Sequence, residues 1–74
     1  MPKLPVLKDK DVIRLLLKLG FVEMRQKGSH KVFRHADGRR TIVSIHPGQD
    51  IPTGTLRAIL GDIKIEVKDI LDQV

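Results

Sequence analysis

The residues of this chain best suited to chemistry lie in QKGSHKVFRH, positions 26–35, where Gly28-Ser29-His30 sits among Lys27, Lys31 and Arg34. Imidazole has an unperturbed pKa of about 6.5, so it can accept and release protons near neutrality. It can take a proton from a ribose 2′-hydroxyl or return one to a departing 5′-oxygen. Neighbouring Lys and Arg side chains stabilise the negative charge that gathers around phosphorus in the transition state. Gly28 lets the backbone approach a phosphate closely, and the N–H groups of a Gly-Ser turn can accept an anion. The same residues have a plainer reading, in which Gly-Ser turns a hairpin and His30 opens the next strand. Spacing alone leaves both readings open.

Other chemistries find less support. The histidines His30, His35 and His46 lack the i, i+4 spacing of a two-histidine helical zinc motif, and there is no cysteine to supplement them. Ser29 adjoins His30, but neighbours in an extended chain point apart, and no G-x-S-x-G elbow is present. Asp37 and Asp50 show no sign of acting as a carboxylate pair. The expectation is a chain without metal or cofactor. His35 precedes an Ala-Asp-Gly turn, and His46 precedes Pro47, which forces extended geometry at a strand end. His46 is a candidate for assisting substrate binding beside the basic segment.

Charge is concentrated around the same tripeptide. Between Met24 and Gly48 stand Arg25, Lys27, Lys31, Arg34, Arg39 and Arg40 against the single acid Asp37, whereas the remainder holds eight basic and eight acidic residues. The whole net charge of +5 therefore belongs to one segment. That is the footprint of a polyanion partner, although a solubility surface could cluster in the same way. With two Phe and neither Tyr nor Trp there is no aromatic platform for stacking successive bases. The cations would act mainly on phosphates, so sequence selectivity should be low. Phe21 and Phe33 read as core residues.

Seventy-four residues make one small domain, 1–74, near the lower size limit for a core without staples. No run approaches the roughly 18 apolar residues of a membrane span, and the chain reads as soluble and cytoplasmic. In DKDVIRLLLKLG, Val12, Leu15, Leu16 and Leu19 recur at helical spacing, with Ile13 and Leu17 widening the stripe and Gly20 closing it. The period then falls to two in FVEMRQ, HKVFRH and TIVSIH, which read as three strands joined by Lys27-Gly28-Ser29 and by a turn containing Asp37-Gly38. HPGQDIPTG is an irregular exposed loop. Thr53 is a candidate cap for a second helix with Leu56, Ile59 and Leu60 on one side, and Ile63 extending it. Val67, Ile70, Leu71 and Val74 predict a short final helix, and Gly61 blurs the boundary between the two. The fold class is α+β, in the order α-β-β-β-α plus a terminal helix. Its three-stranded antiparallel sheet has helices on one face and leaves the other free.

GFVEMRQKGSHKVFRH, DGRRTIVSIHPG and IPTGTLRAIL together resemble the HicA, or YcfA-like, family of small bacterial and archaeal toxins. The landmarks are Gly20-Phe21, Arg25, Gly28-Ser29-His30, His46-Pro47-Gly48 and Gly54-Thr55-Leu56, and they cover most of the chain. The resemblance implies a fold like the double-stranded-RNA-binding domain and an endoribonuclease that cleaves mRNA and inhibits translation. It also implies a HicB-type antitoxin covering the active surface, and His30 as the catalytic histidine. Family members often carry a second His or another residue directly after it. Lys31 stands there in this chain and adds a cation. A non-catalytic RNA-binding module on the same hairpin, or a basic face that holds an acidic protein, are the competing readings.

Overall fold

The computed structural model describes residues 4–73, and its first regular element is helix α1, Asp9–Lys18. The Asp11 carboxylate accepts the backbone N–H of Lys8 at 2.9 Å, and Asp9 and Asp11 both stand at the positive end of the helix dipole. Val12, Leu15 and Leu16 are buried at helical spacing. Leu17, expected on that stripe, is 55% exposed. One residue beyond Leu16 is a rotation of about 100°, which carries Leu17 off the side that meets the sheet. Gly20 adopts φ +95°, its N–H bonds to the Leu17 carbonyl at 3.1 Å, and the Phe21 N–H bonds to that of Leu16 at 2.9 Å. This Schellman closure satisfies two terminal carbonyls and drops Phe21 into the core.

Strands β1 (Val22–Lys27), β2 (His30–Arg34) and β3 (Arg40–Ser44) follow as an antiparallel sheet in the order β1-β2-β3. Lys27 pairs with His30, so the first turn is Gly28-Ser29 alone. Gly28 has φ +58° and Ser29 does not share the positive φ, the signature of a type II′ turn, which requires glycine at its first central position. The second turn is Ala36-Asp37-Gly38, closed by the His35 N–H on the Arg39 carbonyl at 2.8 Å, with Gly38 at φ +99°. Asp37 accepts the Arg39 N–H at 3.0 Å and the Arg39 Nε–H at 2.8 Å. These bonds, the backbone one foremost, hold the Asp37 carboxyl below its usual pKa.

Phe33, Thr41 and Val43 point from the sheet into a core with Val12, Leu15 and Leu16 of α1 and Leu56, Ile59, Leu60 and Ile63 of helix α2, Thr53–Ile63. Burying side chains of this size contributes about 1.5–3 kcal/mol each before entropy is counted. Thr53 is the first residue of α2 and not its cap. Pro52 occupies the cap position, where it offers no side-chain acceptor. The helix runs through Gly61 and ends at Lys64, which takes φ +57°, while the Ile65 N–H returns to the Leu60 carbonyl at 3.1 Å. A last helix, α3, spans Val67–Gln73 and buries Ile70. Val74 and the side chain of Leu71, expected on the same stripe, lie outside the described residues. The loop before α2 is anchored to the segment before α1 by the Ile51 N–H on the Leu7 carbonyl at 2.8 Å and by a Lys8–Asp50 ion pair at 3.0 Å.

Two glycines in contrasting settings test this account by urea denaturation. Gly20→Ala places a methyl group 3.1 Å from His35 Nε2 in a left-handed backbone, and should lower the unfolding free energy by roughly 1–3 kcal/mol. Gly61→Ala meets open space inside a helix and should raise it by about 0.5–1 kcal/mol.

Candidate nucleic-acid interface

Directly opposed residues in an antiparallel sheet share a face, so the pairing register sorts every basic side chain. On β2 and β3, Phe33 pairs with Thr41 and Lys31 with Val43, all toward the helices, whereas His30 pairs with Ser44, Val32 with Ile42 and Arg34 with Arg40 on the open side. Strict alternation would put Glu23, Arg25 and Lys27 of β1 together on one side. The register prevents this, because Glu23 opposes Phe33 and Arg25 opposes Val32, which leaves Met24 as an extra residue in a β-bulge. The bulge shifts the phase of the strand. Phe21 and Glu23 stay toward the helices while Arg25 and Lys27 turn to the open face.

That face is built in three rows across the strands: Lys27-His30-Ser44, then Arg25-Val32-Ile42, then Val22-Arg34-Arg40. His30, Arg25, Lys27, Arg34 and Arg40 are all exposed. Neighbours within a row stand about 5 Å apart between Cα atoms, and the first and third rows lie about 13 Å apart along the strands. His30 therefore has Lys27 on one side and the Ser44 hydroxyl on the other, with guanidinium groups beyond. Its ring makes no hydrogen bond among the described residues, which leaves both nitrogens available to a ligand. Gly28 and Ser29 cap this end of the face. A side chain at Gly28 would meet nothing within 4 Å, so the turn is open to approach.

The structure does not bring every expected residue to this surface. Lys31 lies on the helix side and pairs with Glu23 at 3.2 Å. Arg39 donates Nη1 to the Ile63 carbonyl at 2.6 Å, bonds Asp37, and lies 5.2 Å from the centroid of the Phe21 ring. Its cation ties the second turn to the end of α2. His35 is equally committed. Its Nε2 reaches the Leu19 carbonyl at 3.1 Å, its Nδ1 accepts the Asp37 N–H at 3.1 Å, and its ring packs edge-on to Phe21 at 5.1 Å. The Asp37 carboxylate also lies 3.1 Å from Nδ1. His46 is exposed and lines a cavity of about 270 Å³ with Asp9, Val43 and Ile59 on the helix side.

Two features were not visible in the sequence. Asp9 is buried and accepts the His46 N–H at 2.8 Å and the Lys10 N–H at 2.6 Å, so it fixes the start of the loop after β3. Ser44 becomes a neighbour of His30 only once β3 is in register. The two-residue turn at Gly28-Ser29 and the three-residue turn at Ala36-Asp37-Gly38 were the signals from which that register could have been counted.

The family model described as the HicA toxin of bacterial toxin-antitoxin matches residues 10–65, from the first turn of α1 to just beyond α2. The chain belongs to the HicA toxin family. Comparison with curated proteins gives no match. Membership implies a toxin-antitoxin partner, and the matched span contains the whole sheet. Among the described residues no helix is long and apolar enough to cross a membrane, and no three His, Cys, Asp or Glu side chains gather as metal ligands.

The different settings of two histidines predict different costs. His35→Ala should destabilise the fold by roughly 1–3 kcal/mol, since it strips a carbonyl and an N–H of their partner. His30→Ala should change stability by no more than about 0.5 kcal/mol. Thermal and urea unfolding of the two variants compare them directly.

Proposed function

We propose that this chain is the toxin of a type II toxin-antitoxin system, a metal-independent endoribonuclease that cleaves mRNA, and that His30 is its general acid and base. The observation that carries this reading is the sorting of charge by the sheet. One exposed imidazole shares the helix-free face with Arg25, Lys27, Arg34 and Arg40, in a chain of the HicA family. In the proposed step His30 takes the proton of a ribose 2′-hydroxyl, the 2′-oxygen attacks phosphorus, and the bond to the 5′-oxygen breaks. Protonated His30 then supplies the proton that the leaving oxygen needs. Lys27, the immediate neighbour of His30, stabilises charge on the phosphoryl oxygens, while Arg25, Arg34 and Arg40 hold phosphates farther along the strand. The Gly28-Ser29 turn admits the backbone of the RNA. A single general acid-base group contributes about 10² to 10⁴ in rate, so positioning by these cations must supply the rest.

Lys31 and Arg39 are left out of the proposed contact set because their cations are engaged elsewhere. His46 is assigned to the loop on the helix side and not to proton transfer. An acidic surface on a HicB-type antitoxin would cover the open face and block access to His30. A cytoplasmic location follows from such a substrate.

Purified protein incubated with RNA in EDTA tests the chemistry. Wild type should cleave, and His30→Ala should lose cleavage while retaining RNA affinity. Cleavage unchanged in the variant removes His30 from the mechanism, and cleavage by neither protein assigns the face to non-catalytic RNA binding. In binding titrations against salt, Arg25→Ala, Lys27→Ala, Arg34→Ala and Arg40→Ala should each reduce the slope of log K against log salt by about 1. Lys31→Ala should leave the slope nearly unchanged.

A further inference from the structure

Strand β3 is an edge of the sheet, and neither a bulge nor a proline interrupts it. β1, the other edge, carries the Met24 bulge, whereas β3 pairs regularly with β2 throughout and contains no proline. The bonds of the Ile45 N–H to Ser29 and of the His35 N–H to Arg39 fix which β3 groups face β2. By alternation the N–H and C=O of Arg40, Ile42 and Ser44 point outward, and none has a hydrogen-bond partner among the described residues. Alongside this edge runs an open groove between β3 and α2. It consists of two adjoining cavities, of about 690 and 270 Å³, that share Thr55 and Ile59 in their walls. The α2 side of the groove presents small exposed residues, Thr55 and Ala58.

We infer that the occupant of this edge is a second copy of the chain, paired antiparallel through β3 about a two-fold axis at Ile42. The argument is self-complementarity. In the register that sets Ile42 against the partner's Ile42, Arg40 falls opposite the partner's Ser44, so no like charges are directly opposed. All three outward N–H groups of each copy then find carbonyls, and Ile42, 44% exposed, is covered by its own counterpart. The two α2 helices face one another across their small residues, which permits close approach. Strand and helix are each only about 16 Å long, so the interface lies at the small end of specific ones and the dimer is concentration dependent. Each copy carries +5, so added salt should tighten it.

Pairing changes the candidate active site. The row containing His30 extends across the new sheet as Lys27, His30, Ser44, the partner's Arg40 and the partner's Arg34. The partner's Arg40 stands two strands from His30, about 10 Å between Cα atoms, whereas the Arg40 of the same chain is about 14 Å away along the strand. The dimer therefore supplies His30 with a phosphate ligand in trans. This second part rests on the function proposed above; the pairing itself does not.

Sedimentation equilibrium of the full chain, from low micromolar to millimolar concentration, tests the pairing without reference to activity. A monomer–dimer equilibrium is expected, and Ile42→Lys should abolish it by setting two ammonium groups against each other, with unchanged circular dichroism. In addition, Ile42→Cys, in a chain with no other cysteine, should form a disulfide-linked dimer on mild oxidation, because opposed Cα atoms lie about 5.5 Å apart. A monomer at every concentration, or a dimer that survives Ile42→Lys, overturns the inference, the former leaving the edge to a strand from a different protein. For the trans contact, inactive His30→Ala mixed with weakened Arg40→Ala should cleave RNA faster than either alone. No recovery on mixing, with both variants still dimeric by sedimentation, overturns the role of the partner's Arg40. Absence of cleavage by wild type sinks the proposed function alone, since the mass measurement still decides the pairing.

Discussion

A single extra residue in β1 decides which side of this sheet receives Arg25 and Lys27. Met24 lies in a bulge between the Glu23–Phe33 and Arg25–Val32 pairs, and every side chain after it is out of phase with those before. Phe21 must enter the core to close α1, which commits the start of β1 to one phase. β1 is exposed along its whole length, so burial does not fix the phase of its second half; the bulge does. An unbulged strand would carry Arg25 and Lys27 to the helix side with Glu23, and the bulge places them on the face that holds His30.

The remaining contacts hold the two ends of the sheet in place. At one end His35, Arg39, Phe21 and Gly20 interlock, joining the exit of α1, the second hairpin turn and the end of α2 through hydrogen bonds and ring contacts. At the other end buried Asp9 and the Lys8–Asp50 pair join the start of α1 to the loop after β3. Much of the polar chemistry that resembled a site in the linear sequence is spent on this scaffolding. Of three histidines, one ring is structural, one lies on the helix side, and one is left exposed on the basic face.

The helices and the core were legible because helical periodicity is local: Val12, Leu15 and Leu16, then Leu56, Ile59 and Leu60, occupy the buried faces that their spacing predicts. The turns were legible from glycine, and with them the order of strands and the free face. Leu17 was misplaced because a stripe can be wider than the surface it meets, and Thr53 because a proline occupied the position before it. The surface itself was read only in part. The concentration of charge around His30 was visible, but a bulge leaves no mark in composition, and the partners of Lys31, Arg39 and Asp9 lie far away in sequence or across strands. The register, which no single segment encodes, decides which cations stand together.

We propose that the open sheet face, and not the helix side, is where this toxin-family chain meets RNA. The most direct measurement is an NMR titration of the labelled protein with a short 2′-O-methyl RNA, which can bind but cannot be cleaved through the 2′-oxygen. The account predicts shift changes at Arg25, Lys27, His30, Arg34, Arg40 and the Gly28-Ser29 turn, with Lys31, Arg39 and His46 little affected. Changes centred on the His46 cavity, or none at low salt, would contradict it.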